Sequence, residues 1–229
     1  MSDNKPSSPD ISMLDEQQSA QALLNEYRGK LAALDNSPGE ARAHLLLDIA
    51  EALLSLERKT EAWDAAREAF DIFLKQENWQ GAVESCSVMF QTDQADAISA
   101  LGQGIWLAVT FPIEAATTVA VLQNLIEETP ANADGAAVAA ATAHYIANLR
   151  SENEEKRASL TFLTGHLLGQ VAQRHSGVQS QTDFDHWLTR LQLNDPQLFL
   201  PKLATVINVL VEDKWWFDRD HLRSKLPTD

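Results

Sequence analysis

Cysteine is almost missing from this chain of 229 residues, in which Cys86 stands alone. A single cysteine excludes an internal disulfide and favours a reducing compartment. Glycine (9) and proline (8) are also scarce. All-β architectures need turn residues at short intervals, so sandwiches and barrels are disfavoured. Cations are few, with 18 Lys and Arg against 33 Asp and Glu, for a formal net charge of −15. Phosphate contacts are made by clustered Lys and Arg, so a nucleic-acid partner is not expected. An anionic membrane surface is disfavoured for the same reason. No window approaches the ~18 uncharged apolar residues of a membrane span. The opening residues, Met1-Ser2-Asp3-Asn4-Lys5-Pro6, lack the apolar core of a signal peptide. The expected location is the cytoplasm.

What is present is helical material. Hydrophobic residues make up 45% of the chain, enough for a core. Ala, Leu, Glu and Gln, all strong helix formers, fill the long segments. Residues 1–12, with Pro6 and Pro9, read as a disordered leader, and Ser12 is placed to cap a helix from Met13. That helix carries Leu14, Leu23, Leu24, Tyr27, Leu31 and Leu34, close to the helical period. Pro38 suits the first turn of a second helix over 40–58, with a broad face of Leu45, Leu46, Ile49, Ala50, Leu53 and Leu54.

Further helices are expected over about 60–75, 79–91, 94–110 (capped by Asp93), 112–128 and 135–150 (capped by Asp134). Residues 136–143 are small almost all round, which places that helix in the middle of a layer. A charged link over 151–157 precedes an eighth helix at 158–174. A short helix capped by Asp183 comes next, then one opened by Asp195-Pro196, and a last charged helix capped by Asp218. The domain plan is a leader (1–12), a helical-repeat domain (13–150) and a helical C-terminal subdomain packed on the repeats (158–229).

Helices joined by short links are antiparallel neighbours. In 43–74, setting Glu61-Ala62 on the Glu-Ala of a tetratricopeptide unit places Leu46, Ile49, Ala50 and Leu53 on the first helix. Ala62, Ala66 and Ala69 then fall on the second. Large apolar residues on one helix facing small ones on the other is the pattern of such a repeat of about 34 residues. The stretch resembles the tetratricopeptide-like helical-repeat superfamily, and Trp79, Ala82 and Met89 give a second, degenerate register extending to about 150. It departs from the pattern in lacking the tight-turn glycine near Arg58 and the closing proline near Leu74. The resemblance implies an all-α fold of antiparallel hairpins stacked as a short α-solenoid that binds a partner's segment. It implies no chemistry.

His44, His144, His166, His175, His186 and His221 form no close ligand pair, so no metal site is expected from spacing. Cys86 has neither a partner cysteine nor an activating base in sequence and reads as a small buried hydrophobe. Gly102-Gln103-Gly104 lies within a helix and follows no strand, so it reads as a close helix contact rather than a nucleotide loop. Trp215-Trp216-Phe217 cannot all face one core from a single turn. They are read either as a lid on the core or as the partner-binding residues, since interfaces favour Trp. Trp63, Trp79 and Trp106 sit in apolar helices and read as core.

The expected function is a non-enzymatic protein–protein interaction module, an adaptor, scaffold or assembly factor. It needs no cofactor, and its partner is another protein. The acidic charge reads either as a surface that keeps the chain apart from its neighbours or as a groove that selects a basic segment of that partner. The alternatives are a structural subunit of a larger complex or homo-oligomer, and a small helical enzyme built on scattered His and Glu.

Overall fold

A computed structural model of the chain describes residues 11–34 and 39–226, with the side chains of 11–14 left aside. It is all-α. Eleven helices and no strand occur among the described residues. They are α1 (Ile11–Ala33), α2 (Glu40–Ser55), α3 (Lys59–Lys75), α4 (Trp79–Gln91), α5 (Ala97–Thr110) and α6 (Ala115–Glu128). Then come α7 (Asp134–Arg150), α8 (Glu154–Ser176), α9 (Gln181–Arg190), α10 (Pro196–Val211) and α11 (Arg219–Arg223). None is long and apolar enough to cross a membrane.

Consecutive helices pack against one another from α1 to α9. Contacts of α2 with α4, α4 with α6 and α6 with α8 define a first layer, and α3, α5 and α7 alternate with these helices as a second layer, in which α10 touches both α5 and α7. This arrangement is compatible with a helical-repeat fold. The residues of the 43–74 alignment explain it locally. Leu46, Ile49, Ala50 and Leu53 are buried, and Ala62, Ala66 and Ala69 are wholly so. Without a side chain beyond Cβ, the three alanines let α3 lie close to its neighbours. Helix α7 is the extreme case, with every residue from Ala136 to Ala143 buried between α6, α8 and α10.

The turns between hairpins are made without glycine. Glu57 adopts φ 57° and Glu77 φ 59°, both left-handed. At the first, the Arg58 N–H donates to the Leu53 carbonyl and the Glu57 N–H to that of Leu54. At the second, Asn78 donates to Phe73 and Glu77 to Leu74. Both are Schellman closures, which satisfy the last carbonyls of α2 and α3.

Several expected boundaries move. The segment 1–10 of the expected leader, and Pro38, lie outside the described residues. Ser12 does not cap α1, because the helix already includes it and Ile11. Asp93 is not the cap of α5. It has left-handed φ (54°), its N–H donates to the Phe90 carbonyl, and it is ion-paired with Lys59, while Asp96 stands before α5. Asp134 is the first residue inside α7 rather than its cap. Most of the 151–157 link is helix, because the Asn153 side chain accepts from the Lys156 N–H and Glu154 and Glu155 complement the dipole of the first turn. The cap of α9 is Ser180, whose oxygen accepts from the Asp183 N–H. Asp195 and Asp218 cap α10 and α11 as expected.

The C-terminal helices close the second layer. Helix α10 packs against both α5 and α7 through Phe199, Leu203, Ile207 and Val211, and so bridges two helices of the earlier part of the chain.

Candidate interaction surface

The first-layer face is built from α2, α4, α6 and α8, and its polar side chains form one connected row. On α2 and α4, Asp48, Glu51 and Glu84 lie close enough that Glu51 feels both other carboxylates. Partial desolvation, then repulsion from Asp48 and Glu84, raises the Glu51 carboxyl above its ordinary pKa. Gln80 carries the row to α6. Its amide donates to Glu84 Oε1 (2.7 Å) and Thr117 Oγ1 (2.7 Å), and its oxygen accepts from the Glu114 N–H (3.1 Å).

Beyond Glu114 the face opens into a groove of about 560 Å³ between α6 and α8. Ala115 and Ala116 line one wall, Leu160 and Leu163 the other, and Glu114, Glu152, Glu155 and Lys156 the rim. Leu163 is 51% exposed, and neighbouring Phe162 is 81% exposed.

The cations of this groove are engaged. Lys156 pairs with Glu152 at 2.6 Å. The Arg150 guanidinium donates to the carbonyls of Ala108 (2.7 Å), Val109 (2.8 Å) and Phe111 (2.9 Å), so it caps the C-terminus of α5. No Lys or Arg occurs between Lys75 and Arg150, a stretch that spans α4 to α6 and nearly all of α7. Asp48, Glu51, Glu84, Glu114 and Glu155 have no ion pair among the described residues.

Trp215, Trp216 and Phe217 are half-buried on the other layer. Trp216 meets Phe70 edge-on at 5.4 Å and Trp63 at 6.1 Å, while Trp215 and Phe217 pack on Trp106 at 6.0 and 5.3 Å. Arg67 lies over Trp216 (4.0 Å) and Arg219 over Trp215 (4.1 Å). The backbone of this segment is held by one side chain. Gln103, fully buried on α5, accepts from the Trp216 N–H (2.9 Å) and donates to the Lys214 carbonyl (3.2 Å).

The glycines beside Gln103 serve close contact, as the sequence suggests. A Cβ on Gly104 would stand 2.7 Å from the Cys86 Cβ on α4, and one on Gly102 2.8 Å from Val211 on α10. Trp106 is core, whereas Trp63 and Trp79 are half-buried, the latter stacked on Phe111 at 4.0 Å.

Cys86 is buried between α4 and α5, and desolvation pushes its thiol well above its ordinary pKa, so it is held as the protonated, unreactive thiol. His144 and Thr164 join α7 to α8. The Thr164 hydroxyl donates to the Leu160 carbonyl (2.8 Å), so its oxygen accepts from His144 Nδ1–H (3.0 Å).

His175 is the most connected imidazole. Its Nε2 faces Asp134 (3.1 Å), and its Nδ1 lies 2.6 Å from Ser176 Oγ and accepts from the Trp187 indole (3.2 Å). The set imitates a Ser-His-Asp triad but is poorly built for one. Trp187 competes for the nitrogen that would take the serine proton, and Ser176 closes α8, where the dipole's negative end disfavours an oxyanion. It is better understood as a joint between α7, α8 and α9. Neither Gln103 nor the cation-free stretch was singled out from the sequence, although the second is visible by counting.

No family model, curated protein or solved structure matches the chain.

Proposed function

We propose that the chain is a non-enzymatic protein-binding module of the tetratricopeptide-like kind, which holds a partner's segment on the face of α2, α4, α6 and α8. The observation that carries this is the groove between α6 and α8, whose apolar walls open on a face that is otherwise polar and acidic. Helix α10 and the aromatic segment pack against the other layer and leave this face open. Trp215, Trp216 and Phe217 then serve as scaffold, since their rings are engaged with α3 and α5. The protonated thiol of Cys86 supports a role without nucleophilic chemistry, and a lone cysteine suits a cytoplasmic adaptor or assembly factor.

The test is site-specific photocrosslinking in native extract, with the reactive side chain at Ser159 in the groove and, as control, at exposed Gln197 on α10. A discrete adduct at Ser159 that is absent at Gln197 supports the module. No adduct at Ser159, or the same adducts at both sites, removes the support. A second reading, a self-associating structural subunit, is favoured by the 81% exposure of Phe162. In that case the chain sediments as an oligomer and the Ser159 adduct is a dimer of itself.

A further inference from the structure

The charges around the groove define the chemistry of its occupant. We propose that the groove takes a basic segment of a partner protein, with a large apolar side chain seated between α6 and α8 and Lys or Arg on either side. This rests on the assignment of the face as a protein-binding surface and goes beyond it by naming what binds.

Three observations converge. The groove walls, Ala115, Ala116, Leu160 and Leu163, offer apolar surface and room for large side chains. Burying one such side chain there supplies affinity without regard to charge. The row leading into the groove carries Asp48, Glu51, Glu84 and Glu114, with Glu155 on the far rim, none of them ion-paired among the described residues. The cations at hand are committed, Lys156 to Glu152 and Arg150 to three carbonyls.

A cationic segment would therefore meet carboxylates held close together and would relieve their mutual repulsion. Glu51 lies within reach of both Asp48 and Glu84, and their repulsion adds to the partial burial that raises its carboxyl. An acidic segment would add to it. Like charges set against this row cost affinity as well as association rate, so the row discriminates by sign while the groove discriminates by size.

The experiment uses the full chain and a pair of short fluorescent peptides with the same leucines, one carrying lysines and the other glutamates at the remaining positions. Binding is read as anisotropy. The lysine peptide should bind, and the glutamate peptide should not. Raising salt should weaken binding several-fold through screening. The discriminating variant is Leu163→Asp, which adds negative charge while removing the apolar wall. Because Leu163 is half exposed, the variant should keep its helicity and melting temperature, checked first by circular dichroism.

Leu163→Asp should bind the lysine peptide about tenfold more weakly, the scale of losing one buried leucine contact. The double variant Glu84→Gln/Glu114→Gln should also lose affinity several-fold. Equal or tighter binding by Leu163→Asp would reduce the effect to general attraction by an acidic chain and overturn the proposal. Equal binding of both peptides, or of neither, would overturn it as well. The module itself stands or falls separately, on whether the Ser159 crosslink captures a partner that lacks such a segment, or a second copy of this chain.

Discussion

At the scale of single residues, left-handed backbone at non-glycine positions holds strain that glycine would relieve, and three of the six such residues among those described show how. Glu57, Glu77 and Gln192 all have left-handed φ, between 57° and 59°, which non-glycine residues adopt at a cost of about 1–2 kcal/mol. Glu77 recovers part of that cost through its ion pair with Lys225 at 2.6 Å. Glu57 has no ion pair among the described residues, and Gln192 carries no charge to form one. Glu57→Gly and Gln192→Gly should each stabilise the chain by roughly 0.5–1 kcal/mol, the gain being reduced by the greater freedom of glycine in the unfolded chain. Urea denaturation with an unchanged slope would verify it, and a loss of stability in either variant would show that the turn is not strained.

Gln103 is the opposite case, a buried polar residue that is fully used. Gln103→Leu keeps the volume but leaves the Trp216 N–H and the Lys214 carbonyl without partners. It should cost about 1–3 kcal/mol and accelerate hydrogen exchange at Trp216. Unchanged exchange there would mean that the aromatic rings alone hold the segment. The role of Gln103 was not legible in the sequence, because the backbone groups of Lys214 and Trp216 that it holds lie more than a hundred residues further along the chain. Gly102 and Gly104 were legible, since two glycines within an apolar helix are tolerated only where something approaches closely.

At the scale of elements, helices announced by their own residues were legible, and those decided by a competition between signals were not. Asp195-Pro196 opens α10 because a capping oxygen and a preset φ agree. The small residues of 136–143 marked α7 as closely packed all round, and it is buried against α6, α8 and α10, although it ends the row of α3, α5 and α7 rather than standing in its middle. The start of α8 was missed because its charge run resembles a solvated link. There the Asn153 cap and the exposed pairs Lys156–Glu152 and Arg157–Glu154 favour helix. Asn153→Ala should therefore cost about 1 kcal/mol and fray the first turn of α8, visible as faster exchange at Lys156 and Arg157.

The α7–α8 contact also carries a pH dependence. Burial lowers the His144 pKa below its ordinary value of 6.5, so the folded state holds this ring neutral more readily than the unfolded state does. For a base with a depressed folded-state pKa, its contribution is fully present above about 6.5 and is lost as pH falls below that value. Melting temperature should drop more between pH 7.5 and 5.5 in the wild type than in His144→Gln, measured in the same buffers. Parallel curves would mean that His144 does not report on the α7–α8 joint.

At the scale of the whole molecule, the pairing of hairpins was legible from 46 to 69, because large and small residues alternate between partner helices at fixed spacing. The closure of the second layer was not, because it is made by segments distant in sequence. Periodicity alone places the repeats in 13–150 and makes 158–229 a subdomain packed on them. The contacts tie the two parts together, since α10 bridges α5 and α7 and a single core cluster runs from Ala43 on α2 to Leu222 on α11.

The magnitudes decide what truncation should do. Phe199, Leu203, Ile207 and Val211 are each at most 2% exposed, and burial of such side chains is worth about 1.5–3 kcal/mol apiece. Together they approach the roughly 5–15 kcal/mol by which an ordinary domain is stable. A chain ending at Gly177 should therefore lose its cooperative melt and bind a hydrophobic dye, although much of its helical circular dichroism remains. Leu203→Ala in the full chain, a milder form of the same lesion, should cost about 2–5 kcal/mol and keep a single transition. If the truncated chain instead melts sharply near the wild-type temperature, the hairpins up to α8 form an independent unit and α10 is an addition to it rather than its keystone.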